Sequence, residues 1–302
     1  MPRTVGLFAC LLLVASACVP AASQANRVVH YDPTKTKMGE IQQRGHIVIG
    51  IPNDYRPFGF VNGSGKPQGF TTGLGRLVAE ALGVSARFIA RPADQLLGMV
   101  DSDQADLVFP MLPITQTAAA AHPFSDPYYL AHQRLLVPRG SPIQEVSDLG
   151  GKTVCSAIDP ETEVKLSRLD PSLSLLPVSR AASCAGPLRS GRVAAATGPD
   201  VALYGLRYRL TGSAIVGGQI TTEGYGAAVG ACNPGLAQFA TRVFAVAKKD
   251  GAWTTLYKRW VLPATGTNLV PNPPSLTDID AWDLFPTPPG APSPTPAACP
   301  SP

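Results

Sequence analysis

The chain is short of the residues that hold metals and nucleic acids. Its 4 histidines are scattered and it has no Cys-x-x-Cys pair. The ligand spacing of a zinc site is therefore missing, and no metal is expected. No run of lysine and arginine occurs, alone or interleaved with aromatics, and the net charge of +4 is spread along the chain. Nucleic acid is not an expected partner. Gly-x-Ser-x-Gly, His-Glu-x-x-His and Cys/His nucleophile arrangements are absent as well, which leaves little support for an enzyme. Nothing calls for a cofactor, and no solenoid-length repeat is found. Beyond the N-terminus no segment reaches the roughly 18 consecutive apolar residues of a membrane span.

What is present begins with the leader MPRTVGLFACLLLVASAC. One early cation, Arg3, precedes an apolar stretch over 5–14 and the small residues Ala15, Ser16 and Ala17 before Cys18. This is the layout of a secretory signal, too short for a stable membrane anchor. Ala15-Ser16-Ala17-Cys18 also resembles a lipobox, in which the cysteine is lipidated and becomes the mature N-terminus, although Ala15 stands where leucine is usual. Simple cleavage near Ala17, without a lipid, is the other reading. Residues 1–17 are thus expected to be a signal peptide and 18–38 a tether. Export makes disulfides possible. Cys10 and Cys18 belong to the leader, and Cys155, Cys184, Cys232 and Cys299 remain, with three pairings open.

The 302 residues, 45% hydrophobic and 15% charged, suffice for one large domain or two lobes with separate cores. Strand and helix patterns alternate. HIVIGI (46–51) reads as a buried strand and Asn62-Gly63-Ser64-Gly65 as a hairpin turn. Leu74, Leu77, Val78, Ala81 and Leu82 form a helical stripe ended by Gly83. Further strands are predicted over 86–90, 105–109, 131–137, 153–157, 175–178, 193–197 and 225–229. Helices are predicted over 39–44, 95–101, 181–190, 200–207, 235–251 and 253–260. This alternation implies an α/β fold with parallel sheets covered on both faces. Composition shifts at Pro263, and the proline-rich remainder to 302 reads as a disordered or polyproline-like tail.

Several motifs together resemble the family 3 extracellular solute-binding proteins, which serve ATP-driven amino-acid importers. They are GHIVIGIPNDYRPFGF (45–60) with Gly69-Phe70, DQADLV (103–108), FSDPYY (124–129), DLGGKTV (148–154) and DGAWTTLYKRW (250–260). Their order and spacing carry the resemblance, which covers about residues 39–262. It implies a periplasmic binding protein-like fold, two α/β lobes joined by two crossing strands with a ligand cleft between. Lobe one would comprise 39–132 plus 223–262, lobe two 133–222, and the crossing strands near Gln133 and Gly226 would be the hinge. The implied partners are a small-molecule solute, an ABC permease and the membrane through a lipid on Cys18. A monomer is implied, held in the periplasmic space. The resemblance also implies a disulfide between Cys155 and Cys184.

The ligand-binding residues it implies are Asn53, Tyr55, Pro110, Met111, Pro113, Thr115, Asp159 and Asp200. Tyr55 would be an aromatic wall against the ligand, or pack in the lobe core. Asn53 would donate to the ligand or make an Asx-turn. In the family pattern Thr-x-Thr-x-x-Arg, the arginine grips a carboxylate by a bidentate fork. Here that position is Ala118, the first threonine is Pro113, and the second, Thr115, is kept. The family's ammonium-binding Asp falls on Pro199, with Asp200 one later, which would contact the ligand or simply sit in the first turn of the next helix. Its lobe-two anion loop reads Asp159-Pro160-Glu161, whose acids suit a helix start better than an anionic ligand. Losing one buried charged contact costs on the order of 2–5 kcal/mol. The solute is therefore expected to be less acidic than a standard amino acid, or a cation attracted by Asp54, Asp159 or Glu161. A degenerate fold acting as a sensor or partner-binding lipoprotein is the alternative. A dehydratase, known among the family's relatives, would need an acid–base group such as Asp159 or Glu161.

Overall fold

The structure, a computed structural model, describes residues 28–157 and 171–275. In chain order its first part holds α1 (Lys37–Arg44), β1 (His46–Pro52), β2 (Asp54–Tyr55), β3 (Gly59–Val61), β4 (Pro67–Gln68), α2 (Phe70–Leu82) and β5 (Ser85–Arg91). There follow α3 (Leu96–Asp101), β6 (Leu107–Val108), α4 (Gln116–Ala121), β7 (Tyr129–Ala131), β8 (Gln133–Pro138), β9 (Thr153–Ala157), β10 (Ser174–Val178) and α5 (Ala185–Arg189). The last elements are β11 (Ala195–Pro199), α6 (Asp200–Arg209), β12 (Ser213–Val216), β13 (Glu223–Tyr225), α7 (Pro234–Asp250), α8 (Ala252–Trp260) and α9 (Leu262–Thr265).

One sheet has the order β5-β1-β6, all parallel. β1 is apolar on both faces, as a central parallel strand must be, and Ile47, Ile49 and Ile51 are fully buried. α2 covers it, starting at Gly69, whose φ of 122° and the carbonyl of Phe58 leave no room for a Cβ. α7 and α8 pack on α2 and bring Phe244, Trp253 and Tyr257 against Phe70 and Tyr128. The Trp253 Nε1–H donates to the Tyr128 carbonyl at 2.7 Å, so the indole is buried with its polar atom satisfied. Burying each such ring contributes about 1.5–3 kcal/mol.

The second sheet has the order β10-β9-β11-β8-β12. β10, β9 and β11 are parallel, whereas β8 runs antiparallel to β11 and to β12. The expectation of a parallel sheet thus fails for β8, which follows β7 with only His132 between them and not through a crossover helix. A disulfide joins Cys155 on β9 to Cys184 in the 3-10 turn Ala181–Cys184, with S–S 2.01 Å and Cα–Cα 5.7 Å. Cys232 is disulfide-bonded too; Cys299 lies outside the described residues.

Between the sheets, β7 pairs antiparallel with β13, Tyr129 opposite Tyr225 and Ala131 opposite Glu223. The single strand predicted over 131–137 breaks at His132, whose carbonyl accepts from the Asp200 N–H at 2.8 Å. The strand predicted over 225–229 ends early. Beyond Tyr225 the backbone turns to Ser125, whose Oγ accepts from the Ala227 N–H, and Ala228 bridges Val108 and Phe124. The helix predicted over 181–190 is a 3-10 turn followed by α5. Residues 28–36, within the expected tether, lie against the first lobe's core: Tyr31 meets Phe239 edge-on, and Gln42 bonds both the Tyr31 N–H and the Val29 carbonyl. Among the described residues no helix is long and apolar enough to cross a membrane.

Candidate functional site

A cavity of about 570 Å³ opens where the carboxyl ends of parallel strands from both sheets converge. Asp54 and Tyr55 follow β1, Ala93 and Asp94 follow β5, and Pro110 to Leu112 follow β6. From the other sheet come Ser156 on β9, Ser179 to Ala182 after β10, and Gly198 and Pro199 at the end of β11. Strand ends are where α/β folds bind ligands, because side chains and loops meet there without competing for ladder bonds. α6 forms one wall: Val201, Ala202, Gly205, Leu206 and Arg209 recur at helical spacing along it. Glu223 and Tyr225 of β13 complete the cavity beside the crossing strands. A smaller hollow of about 240 Å³ lies behind Arg209, near Pro138 and Leu188.

Of the residues expected to contact a ligand, Tyr55, Pro110, Met111, Pro113 and Thr115 line this cavity. Burial pushes the Tyr55 hydroxyl's pKa up, helped by the nearby Asp54 carboxylate. Met111 has a left-handed φ of 54° although it is not glycine. Such backbone is held only where the surroundings over-determine it, and here Met111 is buried beneath the Tyr128 hydroxyl. Thr115 Oγ1 accepts from the Ala118 N–H at 3.1 Å, so the kept hydroxyl caps α4. The alanines over 118–121 continue that short helix, as their propensity favours. Ala118 is not on the cavity wall.

Asn53, Asp159 and Asp200 stand apart from the others. Asn53 is not on the wall; its N–H donates to the Arg91 carbonyl and its own carbonyl accepts from Val61. The Asx-turn nearby belongs instead to Asn62, whose Oδ1 accepts from Ser64 and Lys66. Asp159 lies outside the described residues. Asp200 stands in the first turn of α6, one of the two places expected for it. Its carboxyl is only 3% exposed and is turned away from the cavity into the contact between the lobes. Oδ2 accepts from the Tyr129 hydroxyl at 3.2 Å and the Tyr204 hydroxyl at 3.4 Å. Oδ1 has no hydrogen-bond partner among the described residues. Desolvation raises its pKa to about 7, against the lowering effect of its hydrogen bonds.

Sequence reasoning missed Asp94, Ser156, Arg180, Arg209, Glu223 and Tyr225, all on the wall. Asp94 and Arg180 were within reach, because each sits two or three residues after a strand's carboxyl end. The disulfide ties the turn that follows Arg180 to β9 beside Ser156, so two parts of the wall are covalently braced. α6 is held against the first lobe as well. The Arg56 guanidinium lies 3.7 Å from the Phe60 ring centre and 5.0 Å from that of Tyr208. Arg207 donates to the Ala264 carbonyl at 2.6 Å.

Residues 47–263 match the family model of bacterial extracellular solute-binding proteins, family 3. The chain is 28% identical over 262 residues to the ABC transporter glutamine-binding protein GlnH of Bacillus subtilis (strain 168), covering 85% of this chain and 94% of that one. It is 25% identical over 226 residues to the L-cystine-binding protein TcyJ of Escherichia coli (strain K12), covering 74% and 85%. Among solved structures it resembles an ancestral cationic amino acid solute-binding protein, with a TM-score of 0.64, 27% identity, and coverage of 74% of this chain and 99% of that one. The two sheets, the paired crossing strands and the cavity at the strand ends are thus accounted for by descent: the chain belongs to the bacterial extracellular solute-binding proteins, family 3.

Proposed function

We propose that the chain is the extracytoplasmic solute-binding component of an ABC importer for an amino acid or a related small polar or cationic solute. The observation that carries this reading is the cavity of about 570 Å³ at the joined strand ends of both sheets, a size suited to one small solute. Relatives named for glutamine and cystine binding support the solute class. Tyr55, Pro110, Met111, Pro113 and Thr115 are the proposed ligand contacts. The β7–β13 pair serves as the hinge, with lobe one at 39–132 plus 223–262 and lobe two at 133–222. Residues 1–17 direct export, Cys18 carries a lipid, and a monomer delivers its solute to an ABC permease.

A second reading, a sensor or partner-binding lipoprotein without transport, draws on two observations. Ala118 is off the wall, and the Asp200 carboxyl is buried among tyrosines. A thermal-shift screen over amino acids, amines and small peptides separates the two, because a bound solute stabilises by mass action. The importer reading expects a shift of several degrees with at least one solute. No shift with any of them sinks it and favours the second reading. Turnover of a prephenate-like acid would instead mark an enzyme.

A further inference from the structure

Cys232 is disulfide-bonded, and its partner is not another described cysteine. Among the described residues the others are Cys155 and Cys184, which are bonded to each other. Cys10, Cys18 and Cys299 remain. Cys10 leaves with residues 1–17, and Cys18 carries a lipid in the proposed mature chain, so its sulfur is a thioether that cannot pair. This elimination rests on the proposed fate of the leader and not on any reading of the cavity.

The surroundings of Cys232 suit a bond to a distant segment. It stands exposed on lobe one, just before α7. Its loop is held in place: the Asn233 N–H donates to the Gly230 carbonyl at 2.9 Å, and the Val229 N–H to the Pro123 carbonyl at 3.1 Å. Through Ser275, the chain beyond α8 also stays on the body. The Ala264 carbonyl accepts from Arg207 of α6, Val270 packs against the larger core, and Pro274 is buried. From Ser275 to Cys299 there are 299 − 275 = 24 residues, which span up to about 80 Å when extended. A body of this size is about 45 Å across, so the length suffices to bring Cys299 to Cys232.

We propose that Cys232 is bonded to Cys299. The chain after α8 is then a strap with both ends on lobe one: it leaves α8, touches α6 of lobe two at Arg207, and returns to the loop before α7. In forming the bond, the two thiols lose two protons and two electrons in all. A disulfide of the oxidising compartment accepts them by exchange and becomes two thiols.

The test is a peptide map of the full chain, produced with its leader, alkylated on recovery and digested with trypsin without reduction. No Lys or Arg lies within 210–241 or after Arg259, so Cys232 falls in peptide 210–242 and Cys299 in 260–302. Mass spectrometry should find these two peptides joined, two hydrogens lighter than their sum, and separating on reduction. C299S should expose Cys232 to a maleimide, and C232S should expose Cys299, whereas neither site labels in the wild type. An alkylated Cys232 in the wild type overturns the inference. So does a link from 210–242 to a peptide ending at Arg27, which holds Cys18, or to a second copy of 210–242. None of these outcomes bears on whether the cavity binds a solute.

Discussion

Asp200→Asn tests how the buried carboxyl at the contact between the lobes affects stability. The group is 3% exposed, and its surroundings are the hydroxyls of Tyr129 and Tyr204, with Tyr257, Arg134 and the His132 backbone nearby. Its folded pKa is raised from 3.8 to about 7, so the native state binds the proton more tightly than the unfolded chain. Stability from this group is therefore full at low pH. It falls as pH rises from about 4 to about 7, then stays level. At about 1.36 kcal/mol per unit, the loss is about 4 kcal/mol. Asparagine carries no charge to bury and can still accept from Tyr129. The His132 pKa is lowered by burial, which adds stability as pH rises towards its ordinary 6.5, but this is common to both proteins and cancels in their difference. Urea denaturation at pH 4 to 9, followed by tryptophan fluorescence, should show D200N within about 1 kcal/mol of the wild type at pH 4, the scale of one hydrogen bond. At pH 8 the variant should be more stable by about 3 kcal/mol, the ionisation loss less that bond. Parallel pH profiles, or a D200N protein less stable at pH 8, would refute the reasoning.

Removing the disulfide with C155A/C184A opens a loop of 29 residues. The chain-entropy model puts the cost at about 3.6 kcal/mol, to be read from the denaturation midpoint. Thr115→Ala removes the cap of α4 and should cost about 1 kcal/mol in the same assay. A double-mutant cycle on Arg56 and Tyr208, both to alanine, should give a coupling of about 0.5–1 kcal/mol across the lobes; zero coupling would mean that the stacking adds nothing. Tyr55→Ala should weaken the tightest-binding solute about 30-fold by titration, the value of roughly 2 kcal/mol of lost aromatic contact.

Much of the fold was legible because period and punctuation agreed with burial. The Ile47, Ile49, Ile51 run and the Leu74, Val78, Leu82 stripe are buried as their patterns demand. Gly83 ends its helix in left-handed backbone, as its sequence position suggested. What failed to show were breaks caused by tertiary partners. His132 interrupts the strand predicted over 131–137 because its carbonyl is claimed by the Asp200 N–H of α6, and nothing local signals that. The site was half legible. Tyr55 and the 110–115 loop carry motif neighbours, whereas Arg180 and Arg209 sit in unremarkable segments and gain meaning only when two sheets bring them to one cavity. The helix-start reading of Asp200 was legible, but its burial among tyrosines was not, because those partners come from distant segments.

The most direct measurement is a crystal structure with the solute that gives the largest thermal shift. The account predicts that solute inside the cavity, against Tyr55 and the 110–115 loop, with no contact at Ala118. A solute bound elsewhere on the surface, or one whose carboxylate lies against α4, would contradict it.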